Sequence, residues 1–76
     1  MDPQVAKYLA AGLAMGLGAL GPGIGIGILG FGAMQGLARN PEARGPIMTN
    51  MLIAIAMAEA IGIYSLIVAI ILAMVA

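Results

Sequence analysis

Cysteine and histidine are both missing from the 76 residues. Their absence excludes disulfides, thiol nucleophiles, zinc sites and imidazole general bases, so no metal site, resident cofactor or catalytic residue is expected. Charge is scarce too. Three basic and three acidic side chains make up 8% of the chain, against the ~25% that keeps an ordinary soluble domain in water. They are Asp2, Lys7, Arg39, Glu42, Arg44 and Glu59. A zero balance gives no field to attract nucleic acid, and three cations cannot neutralise many phosphates, so no nucleic-acid partner is expected. What is present is apolar: 63% of residues are hydrophobic and the mean hydropathy is +1.14. Composition therefore predicts an all-α membrane protein.

The placement of the charges predicts its topology. Tyr8 to Ala38 is 31 residues without a charge, and Gly45 to Ala76 is 32 residues interrupted only by Glu59. A hydrocarbon core of ~30 Å needs ~20 apolar residues in a helix rising ~1.5 Å per residue. Each stretch is long enough to cross once and too short to cross twice. The expected unit is a single hairpin over residues 1–76, with helix one at about 4–38, a polar loop at about 39–45 and helix two at about 46–76, or starting from 41. Pro3 suits a first helical turn, Asn40 is placed to cap helix two with Pro41 behind it, and Gly36 with the polar loop is expected to end helix one. The first apolar run is about twice the length of a signal-peptide core, so it reads as a membrane span rather than a cleaved leader. Arg39 and Arg44 in the loop outnumber Lys7 at the other end, which puts the loop in the cytoplasm and both termini outside.

Helix one carries ten glycines, a density that would weaken a soluble helix by up to ~1 kcal/mol per residue. In lipid, small residues let helix backbones approach closely. At ~100° per residue, Gly12, Gly16, Gly23, Gly27 and Gly30 fall on one side, and Gly18, Gly21, Gly25, Gly32 and Gly36 roughly opposite. Two opposed faces predict an identical neighbour on each side, a contact that closes into a homo-oligomeric ring. Gly16–Gly21 and Gly25–Gly30 also spell the dinucleotide pattern GxGxxG. That match is empty, because the pattern needs a preceding strand and a βαβ unit.

Glu59 follows 14 uncharged residues from Gly45 and precedes 17 more, so it is expected near the bilayer midplane. An ionised acid there costs on the order of 3 kcal/mol, and the resting form is expected to be neutral or paired with a charge from another protein. An intramembrane group able to take up and release a proton is by default a functional site; the alternative is a neutral Glu acting as hydrogen-bond glue between helices. Alanines at 54, 56, 58 and 60 flank it and allow close approach. Tyr64, ~140° around the helix, is expected to face the next protomer, where its hydroxyl can meet that protomer's Glu59, or else to anchor the chain at the interface. The seven methionines read as soft packing filler.

Gly21-Pro22-Gly23-Ile24-Gly25-Ile26-Gly27, Ala38-Arg39-Asn40-Pro41-Glu42-Ala43 and Ala58-Glu59-Ala60-Ile61-Gly62-Ile63-Tyr64-Ser65-Leu66 together resemble the c-subunit family of F-type ATP synthases over essentially the whole chain. The resemblance implies a two-helix transmembrane hairpin that assembles into a closed rotor ring, helix one inside, in a bacterial inner or plasma membrane. It implies a non-catalytic subunit in which Glu59 carries the ion, an Arg of the a subunit pairs transiently with it, and Arg39, Asn40 and Pro41 contact the central stalk. Ring packing falls to Gly16, Gly18, Gly21, Gly23, Gly25, Gly27 and Gly30. Sodium-binding members of the family carry a Gln on helix one and a Ser or Thr after the Glu. The corresponding positions here, Ile26 and Ala60, supply no side-chain oxygen. Glu59, Tyr64 and the Met57 carbonyl remain, which favours H⁺ over Na⁺ as the translocated ion. The alternatives are a sodium-coupled ring, a V-type proteolipid, and a pore-forming or structural hairpin.

Overall fold

The computed structural model describes residues 1–75 and is helical almost throughout. Helix α1 runs Pro3–Arg39 and helix α2 runs Arg44–Ile70. A 3₁₀ turn, Pro41–Ala43, leads into α2, and a π-helical turn, Ile71–Val75, follows it. Ala76, the last residue of the expected second helix, lies outside the described residues. The helices pack antiparallel into a slender hairpin of 58 × 17 × 9 Å.

Each end has a local cause. Asp2 caps α1: its side chain accepts a hydrogen bond from the Gln4 backbone N–H at 3.0 Å, satisfying a donor that the first turn leaves unpaired. Pro3, at the start of that turn, has no N–H to lose. One turn on, the Gln4 side-chain amide donates to the Tyr8 hydroxyl at 2.8 Å.

At the other end the helix runs three residues past Gly36 and one beyond the expected 38. No glycine adopts a positive φ, so no glycine C-cap forms, and the Gly36 carbonyl accepts from the Asn40 backbone N–H at 2.9 Å. Helix α1 stops at Asn40, whose φ of −143° leaves the helical region, because the ring of Pro41 disfavours α geometry in the residue before it. Asn40 does not cap with its side chain. Its carbonyl accepts from the Ala43 N–H at 3.0 Å and closes the 3₁₀ turn. Gly45 and Pro46 fall in the first turn of α2, where the missing proline N–H breaks no helical bond.

Pro22 lies inside α1 without interrupting it. Helix α1 lies close against α2 at three levels. A methyl group built on Gly18 would overlap Ser65, one on Gly36 would lie 3.3 Å from Ile47 Cδ1, and one on Gly62 would lie 3.8 Å from Cβ and Cγ of Pro22. In each pair, 18 with 65, 22 with 62 and 36 with 47, the residue numbers add to 83 or 84. That constancy is the mark of one antiparallel register running the length of the hairpin.

The hairpin has almost no core of its own. Among the described residues of α2 only Gly62 and Ala69 are buried, and none of α1. Large side chains point outward, Leu17 and Ile28 each 68% exposed. An apolar surface this extensive is unstable in water and suits lipid or further helices. The helical spans Pro3–Arg39 and Pro41–Val75 are each long and apolar enough to cross a membrane. Because so little of either is covered within the chain, they are not the core helices of a soluble fold.

A candidate ion site at the middle of the second helix

The span Pro41–Val75 has Glu59 close to its centre. At ~1.5 Å per residue the carboxylate-bearing residue stands ~27 Å from Pro41, which is half the hairpin's length. The chain's cations are near the ends, Lys7 at one and Arg39 and Arg44 at the other. Glu59 is exposed on the hairpin surface, but its carboxyl does not simply extend outward. It lies over the next turn of its own helix, with Oε1 3.2 Å from the point where a Gly62 Cβ would stand. Gly62 is buried, and the atoms facing it from α1 belong to Pro22. The carboxyl therefore lies beside the seam between the two helices.

The register sorts the other residues read from the sequence. It carries Glu59 to the level of Ile24 and Gly25, while Ile26, half-buried, lies level with Met57 and Ala58. Ala60 is half-buried beside Glu59. Met57 and Tyr64 are 69% and 66% exposed. Tyr64 is ~140° around α2 from Glu59, so a single hairpin does not bring its hydroxyl to that carboxyl. Arg39, Asn40 and Pro41 are all exposed at the turn.

Of the seven glycines expected to pack the ring, Gly16, Gly21, Gly23, Gly25, Gly27 and Gly30 have open space where a Cβ would be. Gly18 differs. It is used within the hairpin, against Ser65, so the face that contains it is shared between α2 and any neighbour. Two residues at the carboxyl were missed from the sequence, Gly62 and Pro22. The signal for Gly62 was its place three residues after Glu59, on the neighbouring surface of one helix. Pro22 has no such signal, because only the register of α1 on α2 brings it there.

Residues 9–72 match the family of ATP synthase C subunits. The chain is 62% identical over all 76 residues to the ATP synthase c subunit of Dehalococcoides mccartyi, covering 100% of both chains. It is 60% identical over 63 residues to the ATP synthase c subunit of Thermotoga petrophila, covering 83% of this chain and 74% of that one. To the ATP synthase c subunit of a Synechococcus species it is 51% identical over 74 residues, covering 95% and 91%.

Proposed function

The chain belongs to the family of ATP synthase C subunits, and from that premise we propose that it is the proton-carrying, non-catalytic component of the membrane rotor, with Glu59 as the carrier. One observation carries the reading: a single carboxylate at the centre of two apolar spans whose other charges lie near the ends. Neutral Glu59 can face lipid and ionised Glu59 cannot. Each protomer in a ring of identical hairpins must therefore release its proton only in a polar channel, opposite a cation supplied by the a subunit. The field contributes ~2.3 kcal/mol per charge for every 100 mV across the membrane, which biases the direction of turning. The Arg39-Asn40-Pro41 turn, on the cytoplasmic side, meets the central stalk, and both termini lie outside. Tyr64 of one protomer donates to Glu59 of the next.

The proton is favoured over sodium because Ile26 and Ala60 offer no side-chain oxygen, and a bare cation needs several ligands. A hydrophobic carbodiimide, which partitions into lipid and reacts with a protonated carboxyl, is expected to label Glu59 in preference to Asp2 and Glu42. Labelling is expected to be unaffected by millimolar Na⁺ at fixed pH. Strong protection by Na⁺ would instead identify a cation site completed by carbonyls or water. The labelling rate of Tyr64→Phe at fixed pH is expected to differ from that of the wild type with the ring intact, since losing a hydrogen bond to a buried group costs ~1–3 kcal/mol. An identical rate leaves Tyr64 as an interfacial anchor.

Gly25 offers a separate test of the ring. It has no neighbour within 4 Å of its Cβ position, so the first carbon of a Gly25→Leu side chain meets nothing within the hairpin. The variant is expected to keep the helicity of the wild type and to lose the detergent-resistant oligomer, read by native mass measurement. Normal oligomers would show that this glycine face is not a packing surface.

A further inference from the structure

The carboxyl of Glu59 reaches forward along α2, toward residue 62, and this direction has a steric requirement. Side chains on an α-helix lean toward the N-terminal turn, so a Cβ at position 62 would lean back over Glu59. The two sides of that position are unequally crowded. A methyl there would stand 3.8 Å from Cβ and Cγ of Pro22, ordinary van der Waals contact, but 3.2 Å from Glu59 Oε1, which is too close unless one of them shifts. Helix packing can therefore accept an alanine at 62 unchanged, whereas the carboxyl would have to give by a few tenths of an ångström.

We propose that Gly62 is a positioning residue for Glu59: its missing side chain leaves the clearance in which the carboxyl lies along α2 beside the Pro22 seam instead of pointing into lipid. The proposal rests on the reading of Glu59 as the ion carrier and adds what holds its resting position. Pro22 closes the α1 side of the clearance, and Gly62 keeps the α2 side open. The rest position is thus a property of one hairpin, present before any neighbouring protomer adds to it.

The test is the rate of labelling by a hydrophobic carbodiimide at fixed pH, measured on the full-length chain assembled in lipid vesicles. Gly62→Ala is expected to assemble normally, since alanine is the better helix former and its methyl fits against Pro22. Its Glu59 is expected to react roughly twofold faster, the population change at the low end of the cost of an off-rotamer torsion. Glu59→Asp supplies the discriminating background. The shorter side chain does not reach residue 62, so Gly62→Ala added to it is expected to leave the rate unchanged.

An unchanged or slower rate in Gly62→Ala overturns the proposal. So does an equal acceleration in the Asp background, which would mean that the methyl acts through helix packing. Loss of the oligomer in Gly62→Ala also overturns it, because the Pro22 side would then be the crowded one. Failure of wild-type Glu59 to react is a different result: it removes the ion-carrier reading itself, and the positioning role with it.

Discussion

Glu59→Gln is expected to abolish both carbodiimide labelling and proton-coupled rotation while the oligomer still forms. The amide has nearly the shape of the protonated acid and the same freedom from charge, so it can face lipid at no added cost. It also fits the clearance over Gly62 that receives the carboxyl. What it lacks is a proton that can leave. A ring of such hairpins has no state that must stay in a polar channel, and the membrane field has no charge to act on. The expected result is loss of proton transport in reconstituted vesicles, with residual labelling confined to Asp2 and Glu42. Transport at the wild-type rate in Glu59→Gln would place the ion path elsewhere.

The second large effect is expected at Gly18, and it concerns the hairpin rather than the ion. A methyl on Gly18 would overlap the Ser65 side chain and lie 2.5 Å from Ser65 Cβ. Overpacking of this kind costs ~1–3 kcal/mol. Little else holds the pair together, because the hairpin buries so few residues. The neighbourhood is already under constraint. Pro22 has no N–H for the Gly18 carbonyl four residues before it, and the Ser65 hydroxyl donates to the Ile61 carbonyl of its own helix at 3.2 Å.

Gly18→Val is therefore expected to separate the helices near that level, read as a longer distance between spin labels placed on α1 and α2. Ser65→Gly is expected to restore the distance. Ser65→Ala is not, since it keeps the Cβ that stands at 2.5 Å. Rescue by Ser65→Ala as complete as that by Ser65→Gly would mean that the hydroxyl, rather than the close approach of the two backbones, limits packing.

Much of this molecule is legible without coordinates because the bilayer simplifies the problem. Counting uncharged residues finds two spans, and counting from the ends of the second puts Glu59 at its middle. Both inferences follow from one large energy, the cost of charge in hydrocarbon. Other features depend on smaller differences. The end of helix one, expected near 38 from Gly36 and the polar loop, falls at Arg39, and the restriction before Pro41 determines where the helix stops. Gly18 belonged by periodicity to a surface for neighbouring protomers, and it packs against Ser65 of its own chain.

By itself, then, the sequence determined that the chain is a two-span membrane hairpin with one carboxylate near the middle of its second span. The cost of charge in hydrocarbon, set against where its charges fall, leaves two crossings. The register was decided only by tertiary structure. Small residues recur so densely on α1 that the pattern permits several alignments of similar close approach, and a slide by one helical turn would present other glycines to Ser65. The observed alignment brings Pro22 onto Gly62 and Gly18 onto Ser65, and the carboxyl of Glu59 lies in the space that results. No local property of α2 specifies that space, because half of its boundary comes from a proline 37 residues earlier in the chain.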